Sequence, residues 1–223
     1  MRRKEIYGIN IKQILIMDKH YCICIGRKFG SGGRNIASMV AKELGIKVYD
    51  RNLLKTASEN TGFSEQFFEE ADEEKTRKGL RSLFMNRFNS SNGFANNYLS
   101  NESIFNMQSE AIRKIHEQED CIFIGRSADY VLRKSDRLLN VFIAADMSAR
   151  VSRICRHADG MDPKKALSLI EETDRKRSSY YNYFTGRTWG DPAFYDICLN
   201  STTLGYEKCA EIIVSLAKER LKI

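Results

Sequence analysis

The sequence predicts an α/β protein, a mostly parallel sheet with helices on both faces. Three observations carry this. Apolar runs of strand length recur at residues 21–25, 121–126, 138–145 and 195–200. Segments with apolar residues at helical spacing, such as 36–44 and 102–117, separate them. The two middle runs are nearly continuous rather than alternating, which suits strands buried on both faces. Strands that alternate with helices favour a parallel sheet.

The first element is residues 21–25, Tyr-Cys-Ile-Cys-Ile, a strand. Residues 26–35 come next as Gly-Arg-Lys-Phe-Gly-Ser-Gly-Gly-Arg-Asn, and then a helix begins at Ile36. Strand, glycine loop and helix in that order build a phosphate cradle. Loop N–H groups converge on the anion, and the helix N-terminus adds partial positive charge. Gly30, Gly32 and Gly33 permit positive φ and close approach, with Ser31 between them. A plain glycine-rich turn is the competing reading. The full phosphate-loop pattern G-x-x-x-x-G-K-[ST] is not met. Gly33 stands where that pattern has Lys, and Asn35 sits near its hydroxyl position. Arg34 or Lys28 is expected to supply the missing charge.

Residues 45–50 read as a short second strand entered through a glycine cap at Gly45. Asp50 and Arg51 then fall at a strand end, where open α/β sheets place ligand-binding groups. Residues 52–60 have helical character, and Ser64 is a candidate N-cap for another helix. Residues 72–101 are charged, then rich in Asn and Ser, and read as an insertion. A helix is expected over 102–117, a buried strand over 121–126 with Ser127 capping the next helix, and another strand over 138–145. A helix over 147–157 carries Arg150, Arg153 and Arg156 along one side. Asp162 and Pro163 start a long helix toward Tyr180. The last strand is residues 195–200 and the closing helix 206–221.

Length suits one domain with an inserted lid. The formal net charge is +7, which suits an anionic partner. Nucleic acid is not the default, since no zinc spacing, RNA-binding motif or basic tail is present. The six cysteines at 22, 24, 121, 155, 198 and 209 include no Cys-x-x-Cys and read as buried free thiols of a reducing cytoplasm. No metal-ligand spacing is seen, and no stretch is long enough to span a membrane. Residues 1–16 read as a dispensable extension ahead of a single domain over 17–223.

These residues resemble the cytidylate kinase family of P-loop nucleoside monophosphate kinases, and in particular its cytidylate-kinase-like bacterial group. The likeness rests on Phe29-Gly-Ser-Gly-Gly-Arg34, Val48-Tyr-Asp-Arg51, Ile124-Gly-Arg126, Ala145 with Arg150 and Arg153, Asp174-Arg-Lys-Arg177, and Tyr195-Asp-Ile-Cys-Leu-Asn-Ser201 with Leu204-Gly205. It covers nearly all of the chain from about residue 20. It departs at the absent Lys and at Ser127, where the cytidylate kinase signature Asp-Gly-Arg-Asp has its second Asp. Asp129 lies two residues further on.

The resemblance implies a three-layer P-loop kinase fold with helical insertions, an acceptor side over 51–118 and a lid over 160–193. It implies phosphoryl transfer from ATP with Mg²⁺ to a small acceptor, most readily a nucleoside monophosphate such as CMP. Lys28 and residues 30–35 would hold the donor. Asp50, Arg51, Arg126 and Asp129 would face the acceptor, with Arg126 on its phosphate. Arg34, Arg153, Arg175 and Arg177 would surround the transferring group, because guanidinium forks match phosphate oxygens. Two other classes remain open: a nucleotide-binding regulatory module without turnover, and a nucleic-acid-binding protein. A solvated arginine face at 150–156 and a surface ion pair between Asp174 and Arg177 are the plainer readings of those residues.

Overall fold

In the computed structural model the described residues are 19–50, 101–158 and 160–223, without the side chains of Asn101 and Ser103. The expected extension, Arg51, the helices over 52–70 and most of the insertion lie outside them. The chain divides into two compact units, Met1–Asp50 with Arg113–Ile223, and Arg51–Ile112. Of the second unit, only the first part of one helix is described.

Five strands form the sheet among the described residues: β1 Cys22–Arg27, β2 Lys47–Tyr49, β3 Cys121–Ile124, β4 Leu138–Ala144 and β5 Ile197–Asn200. All are parallel, in the order β2-β3-β1-β4-β5. The helices are α1 Gly33–Leu44, α2 Asn101–Gln118, the short α3 Ala128–Val131, α4 Met147–His157, α5 Pro163–Thr185 and α6 Ser201–Leu221. This is the parallel α/β sheet that the alternation of runs predicts, in the P-loop kinase arrangement that the resemblance implies.

The core explains the continuous runs. Ile23, Ile25, Ile122, Ile124, Leu139, Val141 and Ile143 pack with Ile36, Ala37 and Val40 of α1 and Ile213, Val214 and Ala217 of α6. Each Ile, Leu or Val side chain among them contributes about 1.5–3 kcal/mol on burial. Cys22, Cys24, Cys121 and Phe123 alternate with these residues along β1 and β3 and are buried too. Both sheet faces are covered, so no polar alternation survives in the sequence.

Local chemistry sets the ends. Gly45 caps α1 at φ 67°, a left-handed conformation that glycine adopts without steric cost. Asp162 accepts from the N–H groups of Lys164 and Lys165 at 3.0 and 3.2 Å, and Pro163 needs no such partner. The long helix α5 outruns its expected end at Tyr180 and stops at Gly186. The closing helix starts five residues early, at Ser201, and is kinked at Gly205, where φ is 78° and ψ 170°. Ser127 precedes α3 but makes no capping hydrogen bond. The expectation of buried thiols holds for Cys22, Cys24, Cys121 and Cys209, whereas Cys155 is partly exposed and Cys198 exposed.

Candidate active site

The chain order turns around β1. β3 pairs with it on one side and β4 on the other. In open α/β sheets, ligands bind at the carboxyl ends of strands beside such a switch. The loop between β1 and α1 leaves from that point. Gly30 and Gly32 hold φ of 76° and 79°. Gly32 is the N-cap of α1, so no side chain caps the helix, and its first turn has no acidic residue. The first N–H groups of a helix have no intrahelical acceptor, which leaves this end suited to an anion.

The glycines also answer to neighbours in the chain. A Cβ at Gly32 would fall 2.3 Å from the Tyr206 ring, and one at Gly33 would fall 2.7 Å from Cβ of Arg27. A Cβ at Gly30 would stand 3.3 Å from Arg150. Ser31 is wholly buried between them.

Arginines from two helices grip the loop by its backbone. Arg150 Nε donates to the Phe29 carbonyl at 2.6 Å, and its Nη2 pairs with Asp174. Asp174 accepts in turn from the Phe29 N–H at 2.8 Å. Arg153 donates to the Gly30 carbonyl and the Ser201 hydroxyl, each at 3.2 Å, and lies over the Tyr206 ring. The Ser201 hydroxyl donates to the Ser31 carbonyl at 2.6 Å. Arg177 donates to the Arg27 carbonyl at 3.3 Å and lies over Phe29. Asp174 therefore pairs with Arg150 of α4 rather than with Arg177; of the α4 arginines Arg150 is buried and Arg153 half-buried, while Arg156 is exposed as a solvated face would have it.

The ends of β2 and β3 complete the edge. Asp50 pairs with Arg34, and Arg27 lies 3.8 Å from its other oxygen. Gly125, Arg126 and Ser127 take φ of 70°, 61° and 53° in succession. Left-handed conformation in two consecutive non-glycine residues carries a steric cost. The turn holds Arg126 half-buried near Tyr180. Burial pushes the Tyr180 hydroxyl up to about 12, and the Arg126 charge draws it back.

Of the residues expected from sequence, Lys28, Gly30, Ser31, Gly32, Gly33, Arg34, Asn35, Arg153 and Arg177 lie on or against the loop. Arg34 turns to Asp50 instead of folding over the loop, and Lys28 sits 4.4 Å over the Trp189 ring. Arg175 is exposed, and no side-chain partner is seen for it among the described residues. Asp129 is buried and accepts from the Tyr181 hydroxyl at 2.6 Å. Burial raises its pKa, against the pull of Tyr181 and Arg187. Its carboxylate is thus engaged with α5. Sequence reasoning missed Arg27, Tyr206, and the pairing of Arg150 with Asp174. From sequence Arg27 stands inside the glycine loop; only the structure makes it the last residue of β1.

Comparison with known proteins agrees with this architecture. Residues 22–203 match the model of the cytidylate kinase-like family. A cytidylate kinase from Methanoculleus marisnigri is 30% identical over 95 residues, which are 43% of this chain and 51% of that protein. The match thus spans about half the length of that relative. Among solved structures, an uncharacterized protein from Eubacterium ventriosum superposes with a TM-score of 0.66 at 24% identity, over 89% of this chain and 99% of that one. A shikimate kinase from Bacteroides thetaiotaomicron superposes more loosely, at a TM-score of 0.48 and 13% identity over 91% and 99% of the two chains. With four-fifths of its length under the family model, the chain belongs to the cytidylate kinase-like family.

Proposed function

We propose that this chain transfers a phosphoryl group from ATP, with Mg²⁺, to a small phosphorylated acceptor, a nucleoside monophosphate such as CMP. One observation carries the reading. β1 and β3 are neighbours in register, Ile25 beside Ile124, so the glycine loop and the strained Arg126 turn open at the same edge of the sheet. A donor cradle and an acceptor cation at adjacent strand ends are what in-line transfer between two phosphates requires.

In the reaction an acceptor phosphate oxygen forms a bond to the γ-phosphorus of ATP. The bond from that phosphorus to the bridging oxygen breaks, and its electron pair leaves with ADP. The loop N–H groups of Gly30 and of Gly32 to Asn35 hold the donor phosphates, with the Ser31 N–H turned to the Lys28 carbonyl, and Arg126 binds the acceptor phosphate. Arg150, Arg153, Arg177 and Asp174 hold the loop in shape, so the N–H groups need no reorganisation when charge develops. Arg175, on the exposed side of α5, is the lid cation with freedom to turn inward. The uncapped end of α1 and the glycine cradle fit a polyphosphate. Mg²⁺ would be held there through the donor phosphates, with Asn35 at the place where the family has a hydroxyl, and would neutralise phosphate charge.

ADP release from ATP-Mg²⁺ with a panel of nucleoside monophosphates and small alcohols tests the reading. Turnover with CMP or a related monophosphate is expected. Binding of ATP without turnover of any acceptor would favour the second reading, a regulatory nucleotide-binding module. The observation behind that alternative is the glycine at position 33 in place of Lys.

A further inference from the structure

From the packing around Gly33 and Gly125, we infer that Arg27 supplies the charge of the absent P-loop Lys, its guanidinium facing the γ-phosphate of the donor. The inference rests on the phosphoryl-transfer reading above and deepens it.

This one side chain lies against two separate glycines. At Gly33, the position of the missing Lys, a Cβ would fall 2.7 Å from Cβ and 3.0 Å from Cγ of Arg27. The stem of Arg27 fills the room that a side chain at position 33 would need. At Gly125 a Cβ would fall 2.2 Å from Nη1 of Arg27. The φ of 70° is what calls for glycine at 125, and the guanidinium tip lies directly against it. The side chain therefore runs from the first turn of α1 to the carboxyl end of β3.

That path lies between the two half-sites. Gly33 belongs to the donor loop, and Gly125 immediately precedes the acceptor cation Arg126. The Arg27 side chain is 18% exposed, and its Nη2 lies 3.8 Å from Asp50. Asp50 also pairs with Arg34, whose side chain is 65% exposed. The carboxylate thus steers both guanidiniums, and Arg27 is the one held in a partly desolvated place, where a cation acts more strongly on a developing negative charge. Arg34 points to solvent from the outer side of the pair, and Lys28 is committed to the Trp189 face.

The test is equilibrium binding of ATP and of ADP, by calorimetry, to the unmutated full chain and to Arg27→Met, Arg27→Lys, Arg34→Met and Lys28→Met, with turnover measured alongside. Met keeps the stem that packs against Gly33, and Lys keeps the charge if Met does not fold. Arg27→Met is expected to weaken ATP at least tenfold and ADP less than twofold, and to lower turnover a hundredfold or more. Arg27→Lys should recover part of the preference for ATP. Arg34→Met and Lys28→Met should leave the ATP-to-ADP ratio within threefold of the unmutated chain. Equal weakening of ATP and ADP by a folded Arg27 variant, or loss of the preference in Arg34→Met or Lys28→Met alone, would overturn the assignment. An unmutated chain that binds ATP but phosphorylates no acceptor defeats the transfer reading, while the ATP-to-ADP ratio still decides the place of Arg27. A chain that binds neither nucleotide defeats both.

Discussion

Asp174 of α5 and Arg150 of α4 form an ion pair that closes on a single backbone unit: the carboxylate takes the Phe29 N–H, and the guanidinium gives to the Phe29 carbonyl. The Arg150 side chain is only 5% exposed. Removing one partner of a buried pair leaves the other charge uncompensated, at a cost of about 3–5 kcal/mol. Asp174→Ala should lower stability by that order in urea unfolding and weaken ATP binding as the loop loosens. A loss under 1 kcal/mol, on the order of an exposed ion pair, would mean that the pair does not brace the loop.

Gly32 and Tyr206 make a second coupled pair. Gly32→Ala drives a methyl into the Tyr206 ring and places a Cβ at φ 79°. Overpacking costs about 1–3 kcal/mol and left-handed backbone about 1–2 kcal/mol. In a double-mutant cycle, Tyr206→Ala should relieve the first part of the loss but not the second. Strict additivity of the two changes would show that the ring and the loop do not meet.

Arg126 stands at φ 61° in a turn that suits glycine. Arg126→Gly should therefore hold or gain stability, by up to about 1 kcal/mol once the freer unfolded chain is counted. Acceptor use should nonetheless collapse, seen as a large fall in kcat/KM for the acceptor with ATP binding unchanged. Full activity in this variant would remove Arg126 from the acceptor site.

Asp129 gives a pH signature. Its folded pKa is raised by burial above the ordinary 3.8. The folded state then holds this proton more tightly than the unfolded state does. The group's favourable contribution is present below 3.8 and is lost as pH rises through the raised value. Asp129→Asn keeps an oxygen to accept from Tyr181 and removes the titration. Stability measured upward from pH 3.8 should fall less steeply in Asp129→Asn than in the unmutated chain. Identical pH profiles would place the carboxyl in water.

What could be read in the chain was local. Continuous apolar runs imply strands buried on both faces, and Cys22 to Ile25 and Cys121 to Ile124 are indeed buried throughout. Asp162 ahead of Pro163 marks a helix start because the cap and the first turn are contiguous in sequence. The loop at 30–33 announces itself because glycine's freedom is a property of single residues. Misplaced ends have local causes too: the closing helix is expected from 206, just after Gly205, whereas it starts at Ser201 and bends at Gly205.

The sequence by itself determined the order of the described elements, the parallel sheet and the position of the glycine loop, since periodicity, capping and backbone freedom act over a few residues. Only the tertiary structure decided which charge meets which. Asp174 lies 145 residues from the Phe29 N–H that it accepts from, and Ser201 lies 170 from the Ser31 carbonyl. Arg27, Gly33 and Gly125 share one space because the strand order puts β1 beside β3 and sends α1 back over β1. A guanidinium chooses its partner by distance and burial, and both arise when the sheet closes.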